Sequence, residues 1–449
     1  MAGKTRVGLA GVSMPSFWAF GQEEYRQRAG RLKEVCKGLG AGLITLQETF
    51  QTAEGAEQAA RALNQLAGLA VLDVATFPEG KAAGAFLDAL KIPLILWSRG
   101  ESVHGTHIGH NSFCGANFLA ANFALKGRRV RHLYGDCRTR QFRARLATAV
   151  RLVGAAAAAA GARIGLFGEG IVPKFFDIDV APADRKALAD RWGIEFVPVP
   201  TGNLLAQAAS YAEAALDKDT RDFAGRFRSI EVPAQAVRSQ ARLLRAIRDI
   251  SRREHFASIA VRCWPELQAE ASIWPCASLS ALNDLGIPAA CEGDPGGALD
   301  MLLASKLAEG PSTLLDIVDW DEKADTLAIW HCGPTAVSWA DRRGARLIPH
   351  NVDGASPKGG PARGAPGVVD MQFATGPVTI FRTLGAVDDE FVVQGRLVKA
   401  DARRICGSYG AVAKSNVYSR SVPVALVRDE ILNRALPHHY TAVRGHLFY

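Results

Sequence analysis

The stretch Ile287–His331 reads IPAACEGDPGGALDMLLASKLAEGPSTLLDIVDWDEKADTLAIWH, and its pattern decides the architecture. A short apolar run ends in Glu292 and Asp294, and a glycine pair, Gly296–Gly297, then opens an apolar helical segment. A second apolar run delivers Asp316, Asp319 and Asp321, and a third reaches His331. Alternation of short apolar runs with helical segments is the pattern of an α/β sheet, and such sheets build their sites beyond the carboxyl ends of their strands. Glu292 and Asp316 are 24 positions apart, with a turn, a helix and a new strand between them. That spacing reads as one βαβ crossover, which predicts parallel neighbouring strands with both carboxylates facing one crevice.

Working outward, the same alternation fills the first third of the chain. Apolar runs at Arg6–Ala10, Leu43–Leu46, Leu69–Val74 and Pro93–Trp97 alternate with helical patterns at Glu23–Leu39, Glu57–Leu66 and Lys81–Leu90. A long helix ends near Gly161, and the alternation restarts at Arg163–Phe167. Beyond His331, helical periodicity fades. Short β-type runs appear at Gly367–Phe373, Val378–Thr383 and Phe391–Val398, with glycine and proline between them. The expected organisation is α/β: two Rossmann-like parallel-sheet domains, 1–160 and 161–325, followed by a β-barrel-like domain, 326–449.

Composition narrows the function classes. The chain has 449 residues, 48% hydrophobic and 22% charged, which suits an ordered globular protein. Its net charge of +8 is scattered through helical segments and forms no basic arm, so nucleic acid is not the expected partner. A mild positive field instead suits an anionic substrate. Eight dispersed cysteines without a CxxC pair fit reduced, buried thiols and a cytoplasmic location. No apolar run approaches the ~18 residues of a membrane span, so no membrane partner is expected. His104, His107 and His110 lie in a glycine-rich stretch after Trp97; they read as a surface or interface loop, with metal binding as the alternative.

Two carboxylates in one crevice repel each other unless a cation lies between them. Oxygen ligands with one imidazole and water suit Mn²⁺, with Mg²⁺ also possible, better than Zn²⁺. The imidazole is sought in His438–His439, between Pro437 and Tyr440, which reaches the crevice only if the β domain folds back over it. Arg262 and Trp264 follow the preceding apolar run and are expected at the same sheet edge, where Arg262 can bind a hydroxyl or an acidic group. The bland alternative makes Glu292 a helix cap, Asp316 an arginine partner, and Arg262 and Trp264 a salt-bridge partner and a core residue.

ACEGD at 290–294 followed by GGAL, the acidic run 24 residues on, HCG at 331–333, PHHY at 437–440 and RCWPEL at 262–267 together resemble the L-fucose isomerase and L-arabinose isomerase superfamily. The motifs cover roughly residues 255–449, and the earlier part matches by layout. The resemblance implies a Mn²⁺-dependent aldose–ketose isomerase with two α/β domains and a C-terminal barrel. It places metal ligands at Glu292, Asp316 and His439, with Glu292 and Asp316 also as the acid–base pair. Arg262, Trp264 and His438 fall to the sugar, and His331 matches a further histidine of the arabinose-isomerase branch, a metal ligand or a substrate contact; the sugar is a deoxy sugar, a pentose or an anionic (sulfonated or phosphorylated) hexose. It further implies a homo-oligomer with inter-subunit active sites, the loop at Gly105–Phe118 covering a neighbour's site. Two other classes use the same scaffold: a non-catalytic sugar-binding or regulatory protein, and a metal-dependent hydrolase or lyase.

Overall fold

The computed structural model describes residues 5–104, 106–128, 130–168, 182–263, 267, 273–350, 367–383, 390–399, 406–417 and 420–447. The chain divides into two compact units, Met1–Gly154 and Ala155–Tyr449.

The first unit holds β1 (Arg6–Val12), β2 (Gly42–Phe50), β3 (Leu69–Val74), β4 (Leu94–Ser98), a two-stranded ribbon of β5 (Val103–His104) and β6 (His107–Ile108), and β7 (Arg131–Tyr134). Five of these form a parallel sheet in the order β2-β1-β3-β4-β7. Val7 and Leu9 of β1 enter one core with Tyr25, Leu32 and Phe142; Ala10 and Val12 enter the other with Leu63, Phe86 and Leu119. Burial on both faces is why these strands read as unbroken apolar runs.

In the second unit, β8 (Arg163–Phe167), β9 (Glu195–Val199), β11 (Phe256–Val261) and β12 (Ala289–Ala290) form a parallel sheet in the order β12-β11-β8-β9. A short β10 (Ser229–Ile230) pairs outside it. The rest of the unit is built on β13 (Thr313–Asp321), β14 (Thr326–His331), β15 (Arg346–Pro349), β16 (Gly367–Gln372), β17 (Gly376–Thr383), β18 (Glu390–Val398), β19 (Ser408–Val417), β20 (Arg420–Ser421) and β21 (His439–Arg444). Antiparallel pairing runs β14-β13-β21-β17-β18-β19 and returns from β19 to β14, which closes a six-stranded barrel. The barrel-like expectation for the C-terminal region agrees with this ring.

One expectation is corrected. β13 does not lie parallel beside β12; it runs antiparallel between β14 and β21, with Asp316 opposite both Trp330 and His439. The helix Pro295–Ala308 is the reason. Eleven of its fourteen residues are buried, so it lies between layers instead of covering one face of a sheet. It packs on β11 and on β21, and so carries the chain from the parallel sheet into the barrel. Full burial of Leu299, Met301 and Leu302 contributes about 1.5–3 kcal/mol each. The boundary drawn at 325/326 falls in the turn between β13 and β14, where Asp321 accepts the amides of Lys323 and Ala324. Among the described residues no helix is long and apolar enough to cross a membrane.

Candidate metal centre

β12 ends in a sharp turn: Glu292 and Gly293 both take left-handed backbone angles, φ 60° and 75°. A glutamate held there is strained by about 1 kcal/mol or more, a cost that concentrates at functional positions. Asp294 follows as the N-cap of the helix, accepting the Gly297 amide at 2.7 Å. Sequence alone assigns Asp294 this capping work; the structure adds more. Arg382 of β17 grips the same carboxylate with two bonds, 2.8 and 3.0 Å, and the His439 Nδ1–H donates to it at 3.1 Å. The glycine pair makes room for this. A Cβ at Gly297 would lie 2.5 Å from Asp294 Oδ2, and one at Gly296 would lie 2.9 Å from Arg382 Nη2. Burial opposes the charge on Asp294, but Arg382 and His439 overcome it and hold the carboxyl below the usual carboxylate range.

With Nδ1 committed to Asp294, His439 turns Nε2 and its lone pair toward two other acids. Glu292 Oε2 is 3.7 Å away and Asp316 Oδ1 3.8 Å. A carboxylate behind an imidazole fixes the tautomer and raises the ring's basicity, as in many metal sites. Both His439 Nε2 and Asp316 Oδ1 are buried without a hydrogen-bond partner. Buried polar atoms left so cost about 1–3 kcal/mol each, and their convergence marks a place for a ligand. Two carboxylate oxygens and one imidazole nitrogen fit a hard divalent cation of the Mn²⁺ or Mg²⁺ type. The atoms of Glu292, His331 and His439, and those of Asp316, His438 and His439, lie within 4.8 Å of one another.

His331 has a different chemistry. Its Nδ1 accepts the Cys332 amide at 2.8 Å, and burial lowers its pKa, so the ring is neutral and carries its proton on Nε2. That Nε2 is buried without a partner. It is therefore a donor into the site, suited to a substrate oxygen and unsuited to a cation in this tautomer. His438 stands at the more open side, its ring exposed and Nε2 3.9 Å from Glu292 Oε2. Burial works against ionised Glu292, and the neighbouring His438 and His439 prevail, leaving its pKa lowered.

Arg262 follows β11 and is 8% exposed; its Cβ packs 3.4 Å from where a side chain at Gly293 would begin. Arg262 thus shares the sheet edge with Glu292. Trp264 lies outside the described residues. Asp319 and Asp321 belong to the far, exposed end of β13 and stand apart from the cluster. Of the three loop histidines, His110 is buried with Nε2 3.0 Å from Glu24 and His107 is exposed; neither joins a metal-type group among the described residues. No disulfide joins the cysteines among the described residues. Two buried thiols, Cys276 and Cys332, approach to 3.5 Å. Arg382 and the Cys332 amide are the parts sequence reasoning missed: no local pattern ties residues 382 or 439 to Asp294.

No protein-family model matches the chain. It is similar to curated proteins named sulfoquinovose isomerase. That of Alkalicoccus urumqiensis is 27% identical over 308 residues, 68% of this chain and 67% of that protein. That of Priestia aryabhattai is 24% identical over 313 residues, 68% of this chain and 66% of that protein. A third, from Clostridium sp. (strain MSTE9), is 27% identical over 266 residues, 58% of this chain and 55% of that protein. The matched stretch thus spans about two thirds of the length of the first two and less of the third.

Proposed function

We propose that the chain is a metal-dependent aldose–ketose isomerase acting on an anionic, sulfonated hexose, and that it resembles the fucose and arabinose isomerases in its site. The observation that carries this reading is that Glu292 Oε2 and Asp316 Oδ1 each lie beside His439 Nε2, at 3.7 and 3.8 Å, with buried Asp316 Oδ1 and His439 Nε2 lacking partners. The name shared by the relatives supplies the sulfonated-sugar class.

Glu292, Asp316 and His439 would hold Mn²⁺, or Mg²⁺ in its place. Such a cation supplies positive charge where negative charge gathers on the first two oxygens of the open-chain sugar. Glu292 and Asp316 flank those carbons as base and acid: the carboxylate takes the proton from C2, the protonated partner gives a proton to C1, and the O2 hydroxyl proton passes to O1, with roles exchanged in the reverse direction. Asp294 and Arg382 keep the His439 ring in its tautomer. His331 donates its Nε2–H to a sugar oxygen, and His438 contacts the sugar from the open side. Arg262 meets the sulfonate, for which a guanidinium is the matching fork. Trp264 remains a proposed sugar contact. The reading extends, on the resemblance, to a cytoplasmic homo-oligomer with shared sites. A binder without chemistry would not need paired acids beside an unpartnered imidazole.

The test is a turnover assay on the chelator-treated protein with Mn²⁺ added back. Sulfoquinovose, glucose, fucose, arabinose and a hexose phosphate are offered in parallel. Metal-dependent ketose formation fastest from sulfoquinovose is expected. Fastest conversion of a neutral sugar would overturn the substrate, and turnover unaffected by chelation would overturn the metal.

A further inference from the structure

The second unit buries a cluster of thiols that the isomerase reading leaves unused. Cys263 follows β11, Cys291 follows β12 and Cys332 follows β14, while Cys276 is the first residue of the helix Cys276–Asp284. All four are buried. The sulfurs of Cys276 and Cys332 are 3.5 Å apart, and those of Cys263 and Cys291 3.6 Å.

An imidazole joins them. His350 directly follows β15 and is buried, and its ring nitrogen and the Cys276 and Cys332 sulfurs all lie within 4.8 Å of one another. The ring is stacked on Trp274, with 4.2 Å between centroids, which holds its plane. Cys291 Sγ also lies within 4.8 Å of Cys332 Sγ. Each member comes from the end of a different element, so no CxxC pair announces the group in the sequence.

Spacing and charge both suit a soft or borderline cation. Two sulfurs on one tetrahedral Zn²⁺, each ~2.3 Å from it, stand about 3.8 Å apart, so the Cys276–Cys332 separation needs only a small adjustment. Two thiolates and a neutral imidazole balance a divalent charge, which removes the penalty of burying an unpaired ion. The start of a helix favours the thiolate form of Cys276. We propose that Cys276, Cys332 and His350 form a second metal site, for a divalent cation of the Zn²⁺ class, with Cys291 beside it as the fourth ligand. Sulfur and imidazole select such a cation, whereas the carboxylates of Glu292 and Asp316 select a harder one. The bound ion ties the ends of β14 and β15 to the helix Cys276–Asp284.

The experiment is a Cd²⁺ titration of the full chain, reduced and chelator-treated, carrying Cys114→Ser to remove the exposed thiol and Glu292→Gln to disable the carboxylate centre. About one equivalent of Cd²⁺ should bind with thiolate-to-metal charge-transfer absorption in the ultraviolet, resist excess Mn²⁺ and raise the melting temperature. Adding Cys276→Ser or His350→Gln should each weaken Cd²⁺ by at least about tenfold. A core substitution can unfold the chain, so the background protein also decides the matter without either. No charge-transfer absorption there at saturating Cd²⁺, displacement of Cd²⁺ by excess Mn²⁺, or unchanged affinity in a folded His350→Gln variant would overturn the proposal. Isomerase turnover is untouched by that failure, because the titration is run with Glu292 already replaced.

Discussion

The edge beyond β12 in the second unit and the edge beyond β4 and β7 in the first are both polar, yet they end in opposite unmet needs. At the first of these the buried atoms without partners include Asp316 Oδ1 and the Nε2 atoms of His439 and His331; at the other they include Arg99 Nε and Nη2. Both edges carry arginine and acid together, so counting charges would not separate them. Following each buried donor and acceptor to its partner does. Arg382 spends Nη1 and Nη2 on Asp294, which also takes His439 Nδ1, while Arg99 gives Nη1 to Glu24.

That contrast is broken most severely at the metal edge. Glu292→Gln should lower kcat/KM by about 10³-fold or more, with thermal stability little changed, because proton transfer and a cation ligand vanish together. Near-parental turnover would remove Glu292 from the reaction. Next in size, Asp294→Asn loosens His439 and should weaken Mn²⁺ about 10- to 100-fold in a direct metal titration. Unchanged metal affinity would reduce Asp294 to a helix cap. Gly297→Ala forces a Cβ against Asp294 Oδ2 and should destabilise the protein by about 1–3 kcal/mol in denaturant unfolding. Gly296→Ala meets the end of the Arg382 side chain at 2.9 Å and Asp294 Oδ1 only at 3.5 Å, and should cost less.

The smallest effect is a pH dependence. Burial pushes Asp300 up to about 7, above the usual carboxylate value near about 4. A raised pKa contributes stability that is complete below about pH 4 and is lost as pH rises through about 7. Asp300→Asn, which keeps the contact to Thr383, should therefore flatten the melting temperature between about pH 5 and about pH 8. A parental slope in that variant would place the titration elsewhere.

Much of this was legible in the residues. The β1 and β3 runs read as strands of a parallel sheet, and the 367–398 runs read as short strands of a barrel-like domain. Glu292, Asp316 and His439 follow from residue type and family likeness, and in the structure Glu292 and Asp316 each lie beside His439 Nε2, at 3.7 and 3.8 Å. The place of Asp316 was misread because a strand after a helix looks the same whether it rejoins its sheet or enters another. The β13 burial pattern, buried at its start and open at its end, and the short turn into β14 are the marks of a hairpin. Asp294 and Arg382 escaped because 88 residues separate them, and nothing local in either segment encodes the pairing. His331 needed the Cys332 amide to show which nitrogen carries the proton.

The central claim is that Glu292 and Asp316 move a proton between adjacent carbons of a sugar, and solvent isotope transfer reads that directly. Conversion of sulfoquinovose in D₂O with Mn²⁺ should place deuterium at C1 of the ketose and at C2 of recovered aldose. The label should be lost in Glu292→Gln. Ketose formed without solvent deuterium at either carbon, or equal labelling in the Glu292 variant, would contradict the account.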